Sequence, residues 1–144
     1  MNCIFFGHRD SPEGIYKDLK NAIRILITSE NVSVFYLGNN GNFDYMCQRA
    51  LSELSKEYNH ISYTIILSRI DEIALNKEQE HTVFPEELET APYRFAISRR
   101  NDLLIKRGNI VVTFSRHKAS NTYKLITKAV KLGMRVINLC KDGI

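Results

Sequence analysis

Cysteine is scarce in this chain: Cys3, Cys47 and Cys140 are the three among 144 residues, and no two stand in a CxxC spacing. An odd count without a pairing pattern argues against a disulfide framework. Free thiols of this kind behave as small hydrophobes, and a reduced, cytoplasmic compartment is expected. Also missing is any apolar run near the roughly 20 residues that a membrane-spanning helix needs. No basic leader precedes an apolar stretch, so the chain is predicted to be neither secreted nor membrane-bound. The four histidines and three cysteines show no metal-ligand spacing, and GxSxG, HExxH and P-loop patterns are lacking. Neither a metal nor a cofactor is therefore expected. Aromatics do not alternate with basic residues in the manner of a nucleic-acid-reading surface. Repeats and low-complexity segments are absent too.

What is present fits one globular unit spanning 1–144. That length suits a single domain able to bury about two-thirds of its unfolded surface. Hydrophobic residues make up 44% and charged residues 25%, which excludes disorder as a description of the whole chain. Net charge is +4 and the pI is about 9.0. So mild a basicity suits an anionic small ligand such as a nucleotide without demanding a polymer, and it equally suits a solvated basic surface.

Short β-branched and aromatic runs that end in turn residues predict five strands: Asn2–Phe6, Val32–Leu37, Ser62–Leu67, Ile110–Phe114 and Arg135–Leu139. Each is mostly apolar without strict alternation, as strands buried on both faces are. Helical periodicity fills the intervals. Ser11 is the expected N-cap and Pro12 the first residue of a helix carrying Ile15, Leu19, Ala22, Ile23, Leu26 and Ile27 on one face. Phe43, Met46, Cys47, Ala50, Leu51 and Leu54 form a second stripe. A third helix is expected near Tyr93–Lys106, and a fourth ends at Gly133. Alternation of strands and helices predicts an α/β fold. Its parallel sheet has five strands or slightly more, with helices on both faces. The exception is a long acidic linker, 68–92, holding Asp71, Glu72, Glu78, Glu80, Glu86, Glu87 and Glu89. A loop of that length is expected to act as a lid, a binding loop or an oligomer contact.

In open α/β sheets the ligand crevice lies beyond the carboxyl ends of the strands. Three segments are expected there. Gly7-His8-Arg9-Asp10 follows the first strand. Gly7 lets the chain turn, and Arg9 offers a permanent fork of donors to phosphate or carboxylate. His8 can donate or accept, or the segment is simply a capped turn. Gly38-Asn39-Asn40-Gly41-Asn42-Phe43-Asp44 follows the second strand. Its amides, with the next helix dipole, are expected to make an anion site, or the segment is a purely structural turn; Asp44 holds a ribose hydroxyl or merely satisfies the dipole. Ser115 through Thr122 precedes the last helix, where Ser120, Asn121 and Thr122 present donors to a phosphate or serve as an N-cap. Within the third helix, Arg99 and Arg100 cannot face the same way. One is expected in the crevice, and the other beside Asp102 or solvent.

Three stretches carry a family likeness: Cys3-Ile4-Phe5-Phe6-Gly7-His8-Arg9-Asp10, Phe35 through Asp44, and Arg94 through Asn101. With Phe84-Pro85-Glu86-Glu87-Leu88 and Val136-Ile137-Asn138-Leu139, the chain resembles the small bacterial proteins of the SLOG superfamily over nearly its whole length. That group includes the DUF1273/YpsA-like, DNA-processing DprA and Lonely Guy proteins. The resemblance implies a Rossmann-like sheet that binds nucleotides or their derivatives, with Gly7 to Arg9, Gly38 to Asp44 and the loop before the last helix lining the pocket. It also implies self-association through helix faces. Lonely Guy enzymes cleave the glycosidic bond of nucleoside monophosphates with an Arg-Lys pair and a PGGxGTxxE loop. Arg99 and Arg100 stand where the resemblance places that pair. Ala119-Ser120-Asn121-Thr122 stands where glycines are expected, and no glutamate follows. Binding, in a sensing role, is accordingly the leading expectation, with a nucleotide-like small molecule as partner and no membrane. N-glycosidic hydrolysis using Glu86, Asp44 or Arg99 is the alternative, and single-stranded nucleic-acid binding the third.

Overall fold

The run Cys3-Ile4-Phe5-Phe6 has no polar side chain to leave in water, so it can be satisfied only as a central strand covered on both faces. In a computed structural model of the chain, which describes residues 1–69 and 81–141, that is its place. Strand β1 (Asn2–Gly7) lies between β2 (Val34–Leu37) and β5 (Ile110–Phe114). The sheet continues through β3 (Ser62–Ile66) to β4 (Thr82–Val83) on one side and to β6 (Arg135–Asn138) on the other. The order is β4-β3-β2-β1-β5-β6, and every described pairing is parallel.

Alternation along β1 divides the interior into two layers. Cys3 and Phe5 face helices α1 (Tyr16–Ser29) and α2 (Asn42–Glu57), joined by Ile110, Val112 and Phe114 of β5. Ile4 and Phe6 face α3 (Ala96–Arg107) and α4 (Asn121–Lys131), with Val111, Leu104, Ile105 and Ala129. The second stripe is buried from Phe43 through Leu54 on α2, and α1 buries Leu19, Ile23, Leu26 and Ile27, while Ala22 is half-buried and Ile15, also half-buried, falls in the turn before α1. At the end of α4, Gly133 adopts φ +82°. Its N–H donates to the Val130 carbonyl and the Met134 N–H to that of Ala129, which satisfies the last carbonyls of the helix.

Three expectations are corrected. Ser11 does not cap α1. Its hydroxyl donates to the His8 carbonyl at 2.7 Å and closes the turn after β1. Pro12 precedes a 3-10 turn (Glu13–Ile15), and α1 begins only at Tyr16. The second strand starts at Val34 instead of Val32, whose N–H returns to the Leu26 carbonyl to finish the preceding helix. The linker 68–92 is also not structureless throughout. Thr82 and Val83 pair with Ile65 and Ile66, and the His81 ring stacks on Tyr63 at 4.1 Å between centroids. Short 3-10 turns follow at Glu86–Leu88 and Tyr93–Phe95, with Leu88 buried. A two-residue edge strand has no periodicity of its own and is revealed only by its partner. Asp71, Glu72, Glu78 and Glu80 lie outside the described residues.

Candidate functional site

The chain leaves β1 toward α1 and β2 on one side of the sheet, while β5 leads through α4 to β6 on the other. Strand order therefore reverses between β1 and β5, and an open α/β sheet offers its ligand crevice at the carboxyl end of such a point. Here three loops meet and are tied together by direct hydrogen bonds. The Asn42 N–H donates to the Arg9 carbonyl at 2.8 Å, and its carboxamide donates to the Ser11 carbonyl at 2.6 Å. On the other side, the His8 N–H donates to the Phe114 carbonyl, and His8 Nε2 accepts from the Arg116 N–H at 2.8 Å. That last bond requires a neutral ring with Nε2 as acceptor. Burial pushes the His8 pKa down, helped by His117 and Arg116 and opposed by Asp10.

On the α3/α4 side of this junction is a cleft of about 140 Å³. Its polar lining comprises Arg9, Asn40, Asp44, Arg100, Asn101 and Asn121, and its apolar lining is the end of β1 with Ile97, Leu104 and Leu125. Of the adjacent arginines, Arg100 enters the cleft and is 2% exposed, while Arg99 is exposed and outside the lining. The Arg100 guanidinium donates to the Ile66 carbonyl at 3.2 Å, the Asn39 side chain at 3.4 Å and the Asn101 side chain at 3.1 Å. Gly38 makes room for it: a Cβ there would meet Arg100 Nη1 at 2.6 Å. Gly41, at φ +97°, has the same relation to Arg9, whose Cα would lie 2.6 Å from an added Cβ. Both glycines of the second loop thus bring backbone against an arginine.

Asp44 is 7% exposed and accepts a hydrogen bond from the Asn40 N–H at 2.8 Å. Burial is the largest influence on its carboxyl and pushes the pKa up. The Arg100 charge, the Asn40 N–H and the Arg9 charge act against it. The Asn40 and Asn42 backbone amides of this loop already have partners within the protein.

The other anticipated residues are divided. Gly7 lines the cleft at the end of β1. Phe43 does not line it. The residue is fully buried, with its ring over Gly7, and forms part of the α1/α2 core. Ser120 caps α4, accepting from the Tyr123 N–H at 3.1 Å and donating to the His117 carbonyl. From the third loop, only Asn121 lines the cleft; Ser115 and Thr122 are buried away from the lining. Glu86, in its 3-10 turn, is exposed and outside the cleft. Asp102 pairs with Lys128 at 2.8 Å and not with an arginine. Asn40 falls in the Gly38 to Asp44 loop expected to line the pocket, whereas the lining by Asn101, Ile97 and Leu125 was missed: for these helical residues the signal depended on which helix face meets the sheet.

Fold and crevice define a Rossmann-like α/β protein with a polar, arginine-bearing cleft at its switch point. The chain is similar to a solved structure, the X-ray structure of DNA processing protein A (DprA) from Streptococcus pneumoniae. The match has a TM-score of 0.72 and 15% identity, over 95% of this chain and 49% of that one. The likeness is one of fold, and this chain spans about half the length of that protein. No family model and no curated protein matches the sequence. Among the described residues, no helix is long and apolar enough to cross a membrane, and no cluster of metal-binding side chains occurs.

Proposed function

We propose that this chain binds a nucleotide or nucleotide-derived ligand at the carboxyl edge of its sheet. The observation that carries this reading is Arg100: a buried guanidinium in a cleft at the switch point, with Arg9 and the Asp44 carboxylate in the same lining. A cation is kept in such a place against a desolvation cost, and clusters of this kind gather at functional sites. Arginine forks suit phosphate. The enclosed 140 Å³ is below the roughly 300–1,000 Å³ of typical small-molecule sites. It takes a phosphate and sugar, with the rest of the ligand at the mouth.

The test is thermal melting with a panel of nucleoside mono-, di- and triphosphates, cyclic dinucleotides and a single-stranded oligonucleotide. A ligand at 100 times its Kd adds about 2.7 kcal/mol of stability. A panel without any shift removes the reading. If the oligonucleotide alone binds, with steep salt dependence, the ligand is a polymer instead.

One observation favours a second reading, hydrolysis of an N-glycosidic bond. A carboxyl whose pKa is raised by burial, as that of Asp44 is, has the property of a general acid. With Glu86 and Arg99 outside the cleft lining, the chemistry would fall on Asp44. Base release followed by chromatography, lost in Asp44→Asn, is the result this second reading requires.

A further inference from the structure

The Asn40 carboxamide has no established duty within the fold. Asn40 lines the cleft, its side-chain oxygen is buried, and that oxygen has no hydrogen-bond partner among the described residues. Its backbone is engaged: the N–H donates to Asp44. Two acceptors, the Asp44 carboxylate and the Asn40 amide oxygen, are thus held by one five-residue turn in one cleft. A buried acceptor without a donor is costly, and such atoms in native proteins call for an explanation. The missing donor is unlike the anion that the arginines suit. A cationic ligand group is disfavoured beside Arg9 and Arg100, so the donor is a neutral hydroxyl or N–H carried by the same ligand.

Resting on the nucleotide-binding reading, we infer that Asn40 accepts a hydrogen bond from a sugar hydroxyl and makes the site selective for ribose over 2-deoxyribose. A nucleotide carries its hydroxyl-bearing sugar next to its phosphate, and Arg9, Arg100, Asn40 and Asp44 all line one cleft of about 140 Å³. A site built to bond a hydroxyl discriminates strongly against the analogue lacking it, since the acceptor is then buried unpaired.

The experiment compares the four ribonucleoside 5′-monophosphates, the cyclic dinucleotides and every other binder from the panel with their 2′-deoxy counterparts, by calorimetry, on the full chain. The wild type is expected to bind ribo forms at least about tenfold tighter. Asn40→Ala keeps the backbone N–H to Asp44 and should bring the ratio to within about twofold by weakening the ribo form. Asn40→Asp keeps an acceptor and should restore the preference, whatever its added charge does to overall affinity. Equal binding of ribo and deoxy forms by the wild type overturns the inference and leaves nucleotide binding standing. So does a preference that Asn40→Ala leaves unchanged. Absence of binding by every compound removes the nucleotide reading itself, and this inference with it.

Discussion

Gly38 packs its backbone against Arg100: a Cβ on Gly38 would come within 2.6 Å of Nη1 and 2.7 Å of Cζ of the guanidinium. The guanidinium is held on the Ile66 carbonyl and cannot retreat without losing that bond. Gly38→Ala is therefore expected to displace Arg100. Overpacking of this kind costs about 1–3 kcal/mol, measurable as a lower urea midpoint at unchanged slope. Nucleotide affinity should fall with it, while Gly14→Ala, where an added Cβ meets nothing within 4 Å, should leave affinity unaltered.

Arg100 and Asp44 are expected to be energetically coupled. Arg100→Met deprives the Asp44 carboxylate of the charge that most opposes its desolvation. In an Asp44→Asn background the same substitution should cost less. Denaturation of the four proteins of this cycle is expected to give a coupling of about 0.5–3 kcal/mol. A coupling indistinguishable from zero would show that the two groups do not sense each other.

The raised pKa of Asp44 has a pH consequence of definite sign. Between its ordinary value of 3.8 and the higher folded value, the folded state binds more protons than the unfolded one. Stability attributable to this group thus declines as pH rises through that window. The stability of Asp44→Asn relative to wild type should increase from pH 4 toward neutrality and then level off. Denaturant unfolding at a series of pH values reads this directly, and a difference that shrinks with rising pH would contradict the assignment.

His8 titrates with the opposite effect. Its folded pKa lies below the ordinary 6.5, so the unfolded chain binds the extra proton first. The contribution of the neutral ring is present above pH 6.5 and is lost as pH falls through 6.5 toward the folded value. Protonation also removes the acceptor for the Arg116 N–H and sets a cation near His117 and Arg116. NMR titration of the His8 ring protons should show a depressed midpoint, with the Arg116 amide resonance shifting at the same pH. His8→Gln should flatten the corresponding part of the pH–stability curve.

The layered α/β plan was legible in the order of residues alone. Apolar strands without alternation, separated by helical stripes, can bury their faces only in a parallel sheet between helices, and loops rich in glycine and asparagine had to turn at its carboxyl edge. Neighbours on a helix are rotated about 100° apart, so Arg99 and Arg100 had to point in different directions. Which arginine entered was decided by the face of α3 that packs on Ile66 and β1. Tertiary packing likewise turned Phe43 inward over Gly7, made His8 an acceptor that ties two loops together, and drew Thr82 and Val83 alongside β3. Each of these depends on a neighbour remote along the chain, and local periodicity carries no record of such neighbours.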